Sequence, residues 1–294
     1  MKTQNNKIIP IIYEDENILA INKPTGLLVH PAVVKDQGFP PKADQPPAEK
    51  IKDKTLVDWI LEKYPEIKGV GEPMVFPDGA HIDKPGIIHR LDKDTSGIML
   101  IAKNQKTFEF LKKQFQARTI KKIYQAIVWG NIKEDKGKID KPIGRSPSTG
   151  HFLSGRGVRG KMREAVTEYE VIKRFSVETE NLQSLIPKSL ILNIKDKGSR
   201  IKDTIQEFTF LELYPKTGRT HQIRVHLKYI NHPIICDKIY ASNMPCPVLG
   251  LNRLALHAAS IEFSLSNNKH MKFEAPLPED FQQVLMFGNR TSKH

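Results

Sequence analysis

Short apolar runs broken by polar turns fill most of this chain, and only three segments carry a helical period. Ile8 to Asn22 reads as a strand, a Glu-Asp-Glu-Asn turn and a second strand over residues 18–21. Gly97 to Ala102 is a continuous apolar run, the pattern of a buried strand. Ile123 to Trp129 alternates, with Tyr124, Ala126 and Val128 on one face and Ile123, Ile127 and Trp129 on the other. Further strands are expected over 167–171, 190–194 and 208–214, and a hairpin over 260–275 turning at Asn267-Asn268. Thr55 is placed to cap a helix over 56–64 with Leu56, Ile60 and Trp59 inward. Asn104 is placed to cap a helix to Ala117 whose core face is Phe108, Leu111 and Phe115. Thr220 is expected to cap a third, with Ile223, Leu227 and Ile230 apolar and His221, Arg224 and Lys228 on a polar face.

Two stretches carry no such period. Residues 31–54 are rich in Pro and Lys and read as an exposed loop. Residues 145–163 are Gly-rich and basic, with Arg145, Arg156, Arg159, Lys161 and Arg163; such loops order against phosphates or simply face solvent.

Charge narrows the partners. Over 294 residues there are 46 Lys and Arg against 33 Asp and Glu, a net charge of +13. That excess suits a polyanion, most simply nucleic acid, whose phosphates reward each cation through counterion release. The two cysteines, Cys236 and Cys246, have neither metal-ligand nor C-x-x-C spacing and argue for a reducing cytosol. Pro10 and Glu14-Asp15-Glu16 break any apolar run near the start, so no signal peptide is expected, and no apolar stretch approaches a membrane span. The expectation is a soluble, cytoplasmic protein.

The densest chemistry lies in Gly86-Ile87-Ile88-His89-Arg90-Leu91-Asp92-Lys93-Asp94-Thr95-Ser96-Gly97. In an extended chain Arg90 and Asp92 share a face, and a guanidinium beside a carboxylate favours the ionised form. An oriented, ionised Asp can serve as nucleophile or base. A kinase reading of His-Arg-x-Asp fails on order: Leu91 separates Arg90 from Asp92, no Asn follows at the metal-ligand position, and Gly69-Val70-Gly71 lacks a third glycine. His89-Arg90-Leu91-Asp92 followed by Thr95-Ser96-Gly97 resembles the active-site motif of the RluA family of RNA pseudouridine synthases.

Other segments extend the likeness. Lys23-Pro24-Thr25-Gly26-Leu27-Leu28-Val29-His30 resembles the family segment that supports the catalytic motif. Lys122-x-Tyr124-x-Ala126-x-Val128-x-Gly130 resembles a second motif, and Thr217-Gly218-Arg219-Thr220-His221-Gln222-Ile223-Arg224-Val225-His226 a third. A zinc reading of His221 and His226 lacks both the H-E-x-x-H pattern and a third clustered ligand. The resemblance covers about 10–285, which implies one catalytic domain over 1–294 with insertions at about 31–54 and 145–163, and no S4-type module. The implied fold class is α+β, a mixed, mostly antiparallel sheet with flanking helices and a central cleft.

The resemblance also implies the chemistry: specific uridines in structured RNA become pseudouridine, with no cofactor and no metal. Asp92 is then the catalytic carboxylate, Tyr124 stacks on the base, and Arg224 keeps Asp92 ionised. Arg90 fills the space vacated by the flipped base, and His89, Thr95, Arg219 and His221 bind substrate. Lys121, Lys122, Arg156, Arg159, Lys161 and Arg163 are candidates for the RNA backbone. The expected partner of this monomer is ribosomal RNA, with transfer RNA as the alternative, and no membrane. Rival readings are a catalytically silent RNA-binding relative and a base hydrolase, which would release free uracil.

Overall fold

The two apolar runs at the start of the chain pair as an antiparallel ladder in the computed structural model, which describes residues 8–30, 54–75, 81–147, 149–155, 158, 161–177, 206–265 and 269–290. Strand β1 (Ile11–Glu14) lies against β2 (Ile18–Lys23), with Ile11 opposite Ile21 and Glu14 opposite Leu19. The turn between them is set by Asp15, whose Oδ1 accepts the backbone N–H groups of Asn17 and Ile18 at 2.8 and 2.7 Å, the local bonding for which Asp is favoured in turns. The chain divides into two compact units, residues 1–93 with 99–113 and residues 94–98 with 114–294. Each is described in turn.

In the first unit, helix α1 (Leu56–Lys63) begins at a capping box: the Thr55 side chain accepts from the Asp58 backbone and the Asp58 carboxylate accepts from Thr55 N–H. It buries Leu56, Val57 and Ile60 in a cluster with Leu19, Ile21, Val29, Ile67, Met99 and Ile101. Each large aliphatic side chain so buried contributes about 1.5–3 kcal/mol. Strands β3 (Met74–Val75) and β4 (His81–Ile82) form a short separate pair. Next to β2 in strand order lies β5 (Ser96–Ala102), all seven residues buried, as the unbroken apolar run implied. Helix α2 (Gln105–Ala117) starts where Asn104 Oδ1 accepts the Thr107 N–H at 2.9 Å. Phe108 and Leu111 are buried, and Phe115 is half-buried.

The second unit is built on a large sheet. Strand β6 (Lys121–Trp129) lies between β11 (Gln206–Pro215) and β12 (Leu256–Ser264), and β11 is followed by β10 (Val166–Val177) and then β7 (Lys136–Asp140). Strand β13 (His270–Glu274) also pairs with β12, and these ladders are all antiparallel. The exception is the start of β5, which runs parallel to β12 with Ser96 opposite His257 and Gly97 opposite Ala258. Glycine is required there: at φ +118° a Cβ on residue 97 would stand 2.2 Å from the Ala258 carbonyl oxygen. Strands β8 (Ile143–Arg145) and β9 (Phe152–Ser154) form a hairpin inside the basic insertion. Helix α3 (Gln222–Tyr229) packs against β9, β10 and β11, and helix α4 (Glu279–Arg290) against β10. The core joins Trp129, Phe175 and Phe208 to Leu211, Leu227 and Phe281. The class is α+β with a mixed, mostly antiparallel sheet. Among the described residues no helix is long and apolar enough to cross a membrane.

Three expectations change. The cap of α3 is His221 in the left-handed region (φ 56°), with no side-chain bond to the helix's first-turn amides, instead of Thr220. Of the expected polar face of α3, Lys228 is exposed and His221 half-buried, but Arg224 is buried, as are Gln222 and His226, whose polar groups find partners. Gln222 bonds Thr217, Thr167 and the Val166 carbonyl, and His226 bonds Thr167 and the Lys141 carbonyl. The cysteines are joined as a disulfide, with Cα atoms 5.1 Å apart, so cysteine usage gives no argument for a reducing compartment. Residues 31–53, the strand expected over 190–194 and the turn at Asn267-Asn268 lie outside the described residues.

Candidate active site

The loop around Asp92 is held on both sides. Lys23, at the end of β2, is fully buried, and its ammonium donates to the carbonyls of Pro24, Leu27 and Lys93 at 2.9, 2.9 and 3.1 Å. Three acceptors match the three donors of a lysine, which is what allows a charged group to be buried. The Gly26 N–H also donates to the Lys93 carbonyl, at 2.8 Å. The Lys-Pro-x-Gly turn, which by itself reads only as a turn, therefore clamps the residue that follows Asp92. On the other side, His89 Nε2 accepts the Leu100 N–H of β5 at 2.9 Å. Arg90 Nη1 meets His30 Nε2 at 2.8 Å. Alternation alone put Arg90 beside Asp92; residues 88–92 form no strand, and the guanidinium bonds the histidine of the supporting segment. Asp92 is half-buried and Arg90 exposed.

In the second unit, Thr95 and Ser96 lie at the start of β5, both buried. The Thr95 hydroxyl is closed off from solvent and has no hydrogen-bond partner. The Ser96 hydroxyl meets His257 Nδ1 at 2.9 Å and receives Arg253 Nη1 at 3.1 Å. Arg253 is itself forked onto Asp280 at 2.6 and 2.8 Å. With its hydroxyl oxygen engaged by Arg253, Ser96 donates its proton to Nδ1, which fixes His257 as the Nε2–H tautomer facing the Ala275 carbonyl. His257 is buried in this network, and desolvation lowers its pKa from 6.5 to about 4.

Tyr124 sits in β6 opposite Leu213 of β11 and Ala258 of β12, half-buried against the core. Lys122, two residues earlier on the same face, has its ammonium pKa lowered by burial. The left-handed turn at His221 begins α3 and places Arg224 on its first turn. Arg224 is buried, and its Nε and Nη2 donate to Asp237 Oδ2 and Oδ1 at 2.7 and 2.8 Å. The Tyr240 ring lies 5.2 Å from the guanidinium carbon, and its hydroxyl meets His221 Nδ1 at 3.0 Å. Arg219, half-buried, donates Nε to the Glu164 carbonyl at 3.0 Å. The structure therefore brings His221 and Arg224 into one cluster and adds two residues the sequence did not mark, Asp237 and Tyr240. No period links Asp237 to Arg224 across thirteen positions, so spacing alone does not pair them.

The backbone-contact candidates divide. Lys121 is paired with Glu262 at 3.0 Å, though its side chain stays 75 % exposed. Lys161 and Arg163 are exposed on the basic insertion, where the Arg163 backbone bridges Ile143. Arg156 and Arg159 lie outside the described residues.

Comparison with known proteins identifies the family. The sequence model of the family described as RNA pseudouridylate synthase matches residues 17–229. An uncharacterised RNA pseudouridine synthase of Bacillus subtilis is 33% identical over 278 residues, spanning 94% of this chain and 72% of that protein. Ribosomal large subunit pseudouridine synthase D of Borreliella burgdorferi is 33% identical over 286 residues, spanning 97% and 69%. Among solved structures, human RNA pseudouridylate synthase domain containing 4 aligns with a TM-score of 0.61 at 23% identity over 95% of this chain and 93% of that one. That similarity bears on the fold alone.

Proposed function

Since this chain belongs to the RNA pseudouridylate synthase family, an isomerase family acting on RNA, we propose that it converts specific uridines of ribosomal RNA to pseudouridine. The reaction moves C1′ of the ribose from N1 to C5 of the uracil: the N1–C1′ bond breaks, the base turns, the C5–C1′ bond forms, C5 loses its proton and N1 gains one. No electrons are exchanged with an outside partner. A target uridine must first leave its stack, at a cost of a few kcal/mol that protein contacts offset.

Asp92 is the catalytic carboxylate in this reading. Whether it adds to the sugar or removes a proton from it, the group must be ionised and aimed. The observation that carries the assignment is the clamp on its loop, with Lys23 and Gly26 on the Lys93 carbonyl and His89 on the Leu100 N–H. Such preorganisation suits a reacting group. Tyr124 stacks on the uracil, Arg224 supplies the cation that favours the ionised carboxylate, and Arg90 takes the place of the departed base. His89, Arg219, His221 and Thr95 border the substrate, and the exposed cations of the insertion meet phosphates.

Ribosomal RNA is favoured over transfer RNA because relatives about one-third identical over most of this chain bear the name ribosomal large subunit pseudouridine synthase D. A monomer working in the cytoplasm, where ribosomes are made, completes the reading. The test has two arms. Pseudouridine mapping in total RNA, with and without the protein, should show sites lost from large-subunit RNA; losses confined to transfer RNA would overturn the target. RNA labelled with tritium at uracil C5 should release label in step with pseudouridine; release of free uracil would instead mark a hydrolase.

A further inference from the structure

Arg224 is forked onto Asp237, and we propose that Asp237 is a positioning residue of the reaction, acting through Arg224. Asp237 lies in the irregular segment after α3 and is 1% exposed. Its carboxylate receives four donors: Nε and Nη2 of Arg224 at 2.7 and 2.8 Å, and the backbone N–H groups of Ile239 and Tyr240 at 2.9 and 3.0 Å. The two backbone bonds fix the carboxylate plane, and the fork transfers that plane to the guanidinium, since a bidentate pair is coplanar. The Tyr240 ring, 5.2 Å from the guanidinium carbon, limits its remaining freedom. Burial alone would raise the Asp237 pKa, but Arg224 and the two amides bring it below the ordinary carboxylate value, so the partner stays charged.

The arrangement exceeds what stability asks of a buried arginine. A buried ion pair is weak support for folding and is often matched by apolar residues of the same volume. The other buried polar residues of α3, Gln222 and His226, bond their neighbours in β10 and the β7–β8 connection. Arg224 alone is directed at a carboxylate with every oxygen accounted for. The fork uses Nε and Nη2 and thereby sets where the N–H groups of Nη1 point.

This inference rests on the role proposed for Arg224, and the test separates the two. Single-turnover pseudouridine formation at saturating RNA, RNA affinity, melting temperature and the pH–rate profile are measured for Asp237→Asn, Asp237→Glu, Arg224→Met and the double variant Asp237→Asn/Arg224→Met. The expected result is that Asp237→Asn slows the reaction at least about tenfold with RNA affinity within about threefold, and shifts the acid limb in the same direction as Arg224→Met. Adding Asp237→Asn to Arg224→Met should change the rate by less than about threefold, because one residue acts through the other. A rate for Asp237→Asn within about threefold of wild type, or effects that multiply in the double variant, overturns the inference. If Asp237→Asn does not fold at the assay temperature, Asp237→Glu decides: it keeps both charges and moves the fork by one methylene, so slow turnover supports positioning and wild-type turnover refutes it. A wild-type rate in Arg224→Met would instead remove the role proposed for Arg224. A slow Arg224→Met beside a wild-type Asp237→Asn would refute positioning alone.

Discussion

The ammonium of Lys23 donates to the backbone carbonyl of Lys93 at 3.1 Å, across seventy residues of sequence. One buried lysine thus ties the turn after β2 to the loop that carries Asp92. Replacing it with Met keeps much of the volume but takes the donor from the Pro24 and Leu27 carbonyls, while the Lys93 carbonyl keeps only the Gly26 N–H. Each unsatisfied buried group costs about 1–3 kcal/mol, so Lys23→Met should lose roughly 2 kcal/mol or more of unfolding free energy. Urea denaturation followed by circular dichroism reads this directly. Turnover should fall as well, since the loop loses its clamp; wild-type stability and turnover together would show that the clamp is dispensable.

His257 makes folding sensitive to acid. Its pKa is about 4 in the folded chain and about 6.5 when exposed. The unfolded state therefore binds the extra proton first as pH falls. The stability tied to neutral His257 is complete above pH 6.5 and drains away between about pH 6.5 and 4, for a total of about 3 kcal/mol. His226, also buried with a lowered pKa, acts in the same direction. Unfolding free energies at several pH values should fall more steeply toward pH 4 in wild type than in His257→Gln. Parallel curves would mean His257 is not held neutral.

Much of this fold was legible in the sequence because alternation and unbroken apolar runs report directly on a pleated, buried sheet: β2, β5, β6 and β11 appear where the pattern puts them, and Thr55 and Asn104 begin their helices as expected. Buried polar networks were not legible. The periodicity of α3 assigns Arg224 to solvent, because the pattern shows a polar residue and cannot show Asp237 waiting for it. Lys23 was hidden in the same way: its partners are backbone carbonyls, which every residue has. The motif string proposes Asp92, Tyr124 and Arg224 by likeness, while the contacts of Arg90 and Arg224 with His30 and Asp237 are pairings no spacing announces.

The basic insertion should govern affinity more than rate. Changing Arg156, Arg159 and Arg163 together to Ser should weaken RNA binding and flatten its salt dependence, the slope of log K against log salt falling by roughly 0.7–0.9 for each phosphate the protein no longer neutralises. Turnover at saturating RNA should largely persist. Filter-binding isotherms at several salt concentrations make the measurement, and unchanged affinity and slope would mark the insertion as a solvated loop.

Arg224→Met should move the acid side of the pH–rate profile upward. Under the role proposed for Arg224, its loss raises the pKa of the Asp92 carboxylate, so a higher pH, by about one unit, is needed to ionise it. The variant also leaves Asp237 buried without its guanidinium, at a cost of roughly 3–5 kcal/mol in stability, so rates are compared on protein shown to be folded. A normal rate with an unmoved profile would exclude the role.

The most direct measurement is single-turnover pseudouridine formation by Asp92→Asn, with RNA affinity determined alongside. The substitution keeps the shape of the side chain and removes its charge. The predicted result is RNA binding within about threefold of wild type and no detectable pseudouridine, because an amide supplies neither the nucleophile nor the base that the proposed step needs. Residual turnover within about tenfold of wild type, a barrier change of only about 1.4 kcal/mol, would contradict the assignment of Asp92 as the catalytic group.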